Sequence, residues 1–139
     1  MIVQGQCTIF KQNLLSGVEN FATGTPYVYK IALYTAAANL SYETLAYTTN
    51  GEISGTGYTA GGNTLTRIVP ATSGQVAYIS FQNVTWNPAN FTARGALIYN
   101  STTGAAVAVL DFGADKTATS TFTVTFPTAD AANAIIRFA

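Results

Sequence analysis

The sequence predicts a mainly-β fold: an antiparallel β-sandwich, jelly-roll-like in form, with about eight short strands and one short N-terminal helix. Three observations carry this. Most apolar residues fall in runs of strand length, rich in β-branched and aromatic side chains and bounded by Gly, Pro or Asn. Sustained helical spacing occurs over a single stretch, Phe10 to Phe21. Thr121 to Phe126 alternates strictly, with Phe122, Val124 and Phe126 on one side and threonines on the other, as a half-buried antiparallel strand does. A partly closed barrel is the alternative arrangement of the same strands. No linker or long internal repeat divides the 139 residues, so residues 1–139 are expected to form one domain around one core.

Along the chain, Phe10, Leu14, Leu15, Val18 and Phe21 share a helical face, with Lys11, Gln12, Glu19 and Asn20 turned away. Thr8 is the expected N-cap, and Gly17 lies inside the pattern at a cost of about 1 kcal/mol relative to alanine. Gly24-Thr25-Pro26 ends that segment and turns the chain. Tyr27 to Thr35 has no breaker and reads as a core strand, while Ser41 to Ala46 has room for one helical turn capped by Ser41. Gly55 to Asn63 is a glycine-rich loop. Strands follow over Thr64 to Val69 and Val76 to Phe81, with a turn at Pro70 to Gly74 between them. From Phe91 to Gly113 two apolar runs flank one short polar turn, which is a β-hairpin. Phe91, Leu97 and Tyr99 lie on one side of its first run and Ala96 and Ile98 on the other, so both faces are apolar and the hairpin should be central and covered twice. Ala134 to Phe138 supplies the last strand.

Charge narrows the function. Only 9% of residues are charged, against roughly 25% in typical domains. Six basic and six acidic side chains cancel, and Lys11, Lys30, Arg67, Arg94, Lys116 and Arg137 are scattered. No basic stripe forms, so nucleic acid is not an expected partner. Apolar stretches fall well short of the ~20 residues that span a bilayer, so no membrane is expected either. The start, Met-Ile-Val-Gln-Gly-Gln-Cys, lacks the basic opening and apolar core of a signal peptide, and the single cysteine, Cys7, allows no internal disulfide. These features fit a protein kept in the cytoplasm or built into a particle assembled there. A surface left to Thr, Ser, Asn, Ala and Gly suits burial against other protein, and it equally suits a hydroxyl-rich monomer.

No constellation announces catalysis. Histidine is absent, which removes Ser-His-Asp and Cys-His sites and most zinc sites. The remaining catalytic route is a pair of carboxylates, as in glycan-cleaving enzymes, drawn from Glu19, Glu43, Glu52, Asp111, Asp115 and Asp130; no local motif pairs them, and a non-enzyme is the favoured reading. Asp111 and Asp115 resemble part of a calcium loop, but they more simply mark a strand ending in a Gly-Ala-Asp turn. A loop formed by Ser101 to Gly104 puts Arg94 opposite Asp111 in the hairpin, a cross-strand ion pair. Gly55, Gly57, Gly61 and Gly62 precede a strand, so they serve positive backbone φ rather than phosphate. Cys7 has no basic neighbour in sequence and reads as a small apolar residue. Neither a cofactor nor a metal is expected. Tyr42, Tyr47, Tyr58, Trp86 and Phe91 fall near loops and suit an interface or a sugar-stacking platform, although Trp86 is more simply tucked against the core at a strand end.

Four stretches in this order resemble a known family: Tyr29-Lys-Ile-Ala-Leu-Tyr-Thr, the loop Gly55-Thr-Gly-Tyr-Thr-Ala-Gly-Gly, the Trp86 strand with Phe91-Thr-Ala-Arg-Gly-Ala-Leu-Ile-Tyr-Asn, and Val109-Leu-Asp-Phe-Gly. With the amphipathic segment beginning at Phe10, they cover roughly residues 10–126 and resemble small β-rich virion-associated structural proteins of tailed bacteriophages. The resemblance implies a component of a particle assembled in the host bacterial cytoplasm and carries over no catalytic residues. It implies other virion proteins as partners, together with self-association into a homo-oligomer. The major capsid protein is the favoured partner, for a decoration or cement protein on the head; tail proteins are the alternative, with the aromatic loops contacting host glycan.

Overall fold

A computed structural model describes residues 1–22 and 26–138. Its elements are β1 (Gly5–Gln6), α1 (Thr8–Leu15), β2 (Tyr29–Tyr34), β3 (Asn63–Thr64), β4 (Arg67–Ser73), β5 (Val76–Phe81), β6 (Val84–Trp86), β7 (Phe91–Asn100), β8 (Ala106–Ala118), β9 (Phe122–Val124) and β10 (Ile136–Phe138). The fold is mainly β, in the β-sandwich class, with one short helix. A five-stranded sheet, β1-β8-β7-β2-β3, is accompanied by a three-stranded sheet, β10-β5-β4, and a two-stranded ribbon, β6-β9; the strands within each are paired antiparallel. The strand count exceeds the expected eight because β1 and β3 are two-residue edge pieces without any periodic signature.

The helix is shorter than its apolar spacing suggests. It ends at Leu15, and Gly17 adopts φ 74° immediately after the cap Ser16. The Gly17 N–H donates to Leu14 O at 3.3 Å and the Val18 N–H to Asn13 O at 2.8 Å, the paired bonds of a Schellman stop. Gly17 is therefore the terminator, because only glycine enters the left-handed region without a Cβ penalty. The N-cap position belongs to Cys7, not Thr8, and no side chain caps it. Ser41 to Ala46 is a hydroxyl-stabilised turn rather than a helical turn: the Glu43 N–H donates to Ser41 Oγ and the Ser41 N–H to Thr44 Oγ1. The expected turn at Gly24-Thr25-Pro26 lies outside the described residues, apart from Pro26. Pro70 sits within β4, at the register shift between Ile68 and Ala71, where a missing N–H is tolerated; the turn itself is Gly74-Gln75, with Gly74 at φ 59°.

The hairpin β7-β8 is central. Nearly every residue of β2 and β7 is buried regardless of parity, as are the first four of β8. The faces are covered differently. On one, Phe10 from α1, Phe21 from the irregular segment after it and Phe81 from β5 pack around Tyr29. On the other lie residues 35–62, an irregular excursion, together with the aromatics of β6-β9 at the Phe91 end. Both covers close over one continuous apolar core.

Candidate functional site

The irregular excursion is organised by one carboxylate. Glu52 accepts from the Tyr47 hydroxyl at 2.6 Å, the Tyr58 hydroxyl at 2.6 Å and the Gly61 N–H at 2.7 Å, which uses both of its oxygens. Tyr58 in turn receives the Leu33 N–H, Tyr34 donates to Thr48 O, and Tyr99 donates to Gly61 O while stacking on Tyr47 at 4.8 Å. Leu33 lies on β2 beyond the reach of β3, so its backbone faces an open sheet edge; Tyr58 takes its N–H and Ile53 donates to its carbonyl. The network thus seals an edge that would otherwise pair with another chain. Burial pushes the Tyr47 and Tyr58 hydroxyls above their ordinary pKa, and the hydrogen bond each gives to Glu52 adds to the shift.

Glycine makes this closeness feasible. A Cβ on Gly62 would lie 1.8 Å from Ile31 O, and one on Gly57 would lie 1.7 Å from Pro88 O. Both also hold positive φ, 78° and 88°. The loop backbone therefore lies directly on the backbone of β2 at Gly62 and on that of the β6–β7 connection at Gly57.

This geometry relocates the predicted aromatics. Tyr47 and Tyr58 are half-buried and committed to Glu52. Trp86 is 2% exposed, stacked near Tyr58 and edge-on to Phe122, with its indole N–H unpartnered. The faces that a sugar would need are occupied by protein. Tyr42 differs: it stays exposed on the 41–46 turn.

Arg94 and Asp111 do meet, by a route other than the expected one. The loop Ser101 to Gly104 is present, with the Asn100 N–H donating to Ala105 O and Tyr99 opposite Ala106. A bulge at Val107 then shifts the register, so Gly95, not Arg94, stands opposite Asp111. The Arg94 side chain reaches diagonally, Nε lying 3.6 Å from Asp111 Oδ1 and Nη1 3.8 Å from Asp115 Oδ1. The Gly-Ala-Asp segment is not a strand-ending turn: β8 continues to Ala118 through an irregularity at Gly113, whose N–H donates to Asp111 Oδ1. Both aspartates share one guanidinium at the surface, which serves local geometry more than stability, since exposed pairs contribute about 0–1 kcal/mol. Among the described residues no three His, Cys, Asp or Glu side chains gather as a metal site would need.

Other candidate groups have their own settings. Cys7 is wholly buried, and burial pushes its thiol up to about 11, which disfavours the reactive thiolate. Asp130 accepts from the Asn133 side chain and from the N–H groups of Ala132 and Asn133. Glu19 is buried with Tyr29 and Asn100.

Among the described residues, one surface region gathers several exposed apolar side chains near the start of the chain. Residues 1–3 lie beside 38–42, joined by Val3 N–H to Leu40 O, Leu40 N–H to Met1 O and the Met1 ammonium to Ala38 O. Met1, Val3 and Tyr42 project from these neighbouring segments, and Leu45 from the turn that follows, with large exposed apolar side chains. The backbone beneath them is anchored to the core: Thr8 donates to Tyr42 O and Ala106 to Leu45 O. Apolar side chains on a fixed backbone suit docking against another protein, because little ordering entropy remains to be lost. Comparison with protein-family models, with curated proteins and with solved structures finds no match to this chain.

Proposed function

We propose that this protein is a non-catalytic structural component of a bacteriophage virion, most specifically a decoration or cement protein that binds the head shell. The observation that carries the reading is the anchored apolar region of Met1, Val3, Tyr42 and Leu45, on a chain with no net charge. The resemblance of residues 10–126 to virion-associated proteins supplies the setting. Such a protein bridges neighbouring shell subunits, each contact small and the sum large through multivalency. Exposed threonines add a second self-complementary surface: Thr85 bonds Thr123 across β6-β9 and Thr92 bonds Thr117 across β7-β8, giving hydroxyl-bearing outer faces that can pack in a symmetric oligomer.

The test is the copy number of this chain in purified virions, by quantitative mass spectrometry against the major capsid protein. Hundreds of copies per particle is the expected result. A few to a few dozen would move the protein to the tail or a fibre, and absence from virions would overturn the reading. Tyr42→Ser with Leu45→Ser then locates the contact, since virions should lose the protein while the isolated chain keeps its fold.

A further inference from the structure

We infer that the groove between α1 and the β10-β5-β4 sheet binds a small apolar molecule bearing one ammonium group, with Glu19 as its counter-charge. The groove has a volume of about 300 Å³, at the lower end of ligand-pocket sizes, and its walls include Phe10, Phe21, Ile79, Ile136 and Phe138. Glu19 lines it. That side chain is 6% exposed, and its two oxygens are treated unequally. Oε2 accepts from the Tyr29 hydroxyl at 2.7 Å and from Asn100 Nδ2 at 3.4 Å, while Oε1 has no hydrogen-bond partner.

A buried carboxyl oxygen without a donor is costly, and Tyr29 and Asn100 hold this one in place rather than letting it swing to solvent. An ammonium group supplies both the missing donor and the opposite charge. Aromatic walls favour the same ligand, since ring faces attract cations in a desolvated site. A carboxylate or phosphate would bring like charge to Glu19, and a plain hydrocarbon would leave Oε1 unpaired. The apolar lining requires that the rest of the molecule be apolar and compact. This inference is independent of the virion reading, and the copy number does not bear on it.

The test is calorimetric titration of the full chain with three probes of one shape: 2-phenylethylamine, 2-phenylethanol and 3-phenylpropionate. The amine should bind saturably and at least tenfold more tightly than the acid, with the alcohol between them. Glu19→Gln, which keeps the shape and removes the charge, should weaken the amine at least tenfold and leave the alcohol unchanged. Ala77→Trp fills the groove from an exposed strand position, so it leaves the core intact and should abolish binding of amine and alcohol alike; near-UV circular dichroism verifies the fold of both variants. Absence of saturable amine binding, equal affinity for amine and acid, or amine binding unaffected by either variant would overturn the inference.

Discussion

Two glutamates lie against opposite faces of the same sheet, each accepting a tyrosine hydroxyl, and their surroundings differ in one respect. Glu52 has donors on both oxygens, three in all, and every donor belongs to the segment it pins down. Glu19 has two donors on one oxygen and none on the other, and it borders an apolar groove. The first is a closed polar network, whose value is that it orders residues 35–62 without a regular element. The second is open by one bond. A fully paired carboxylate is explained by the fold alone; a buried, half-paired one leaves a place for a donor from outside.

That contrast is broken most severely at the glycines that let the Glu52 loop lie on the sheet. Gly62→Ala drives a Cβ into Ile31 O in a left-handed conformation, and it should cost more than ~4 kcal/mol or prevent folding, as measured by urea denaturation. Glu52→Ala comes next. It strands two hydroxyls and one N–H, each about 1–3 kcal/mol when buried and unpaired, so a loss of about 3 kcal/mol is expected once partial exposure is allowed for. Hydrogen exchange should quicken within 35–62 and stay protected in β7 and β8; uniform loss of protection would contradict a local role for Glu52.

The two networks also separate by pH. Folding raises the Tyr47 and Tyr58 pKa above their ordinary 10, so their contribution is fully present below pH 10 and is lost as pH climbs through the folded values. Alkaline unfolding should therefore accompany tyrosine ionisation in the ultraviolet spectrum, rather than follow it. Glu19 acts at lower pH. Burial raises its carboxyl above the ordinary 4.5, against the opposing hydrogen bonds from Tyr29 and Asn100. Its contribution is fully present below 4.5 and is lost as pH rises through the folded value. Urea midpoints of Glu19→Gln should thus gain on those of the wild type as pH rises from 4.5 toward neutrality, and parallel midpoints would show that the carboxyl is not desolvated. The smallest effect belongs to the surface: Arg94→Ala should change stability by less than about 1 kcal/mol, and the change should shrink further in high salt.

Much of the architecture is legible from local pattern. The doubly apolar run of Phe91 to Asn100, the breaker-free run ending at Tyr34, and the strand Val76 to Phe81 are where periodicity and composition place them, since strand character and the need for cover on both faces follow from the side chains themselves. The site was less legible. Tyr47, Tyr58 and Trp86 are aromatics near loops in sequence, and nothing local says whether a loop folds outward or lies down on a sheet. The nearest available signal was the glycine spacing at 57, 61 and 62 beside a lone Glu52, and a contact with distant backbone is needed to interpret it.

By itself, then, the sequence determined a mainly-β chain with one short helix and a twice-covered central hairpin, because each of these depends on the apolar content and spacing of neighbouring residues. Only the tertiary structure decided where β8 bulges, which aromatics are spent internally, and which of six acids became fully paired, half paired or shared a guanidinium. Those outcomes depend on residues far apart in the chain, such as Glu19 with Asn100 and Gly62 with Ile31, and burial and hydrogen bonding there are properties of the assembled pair rather than of either residue.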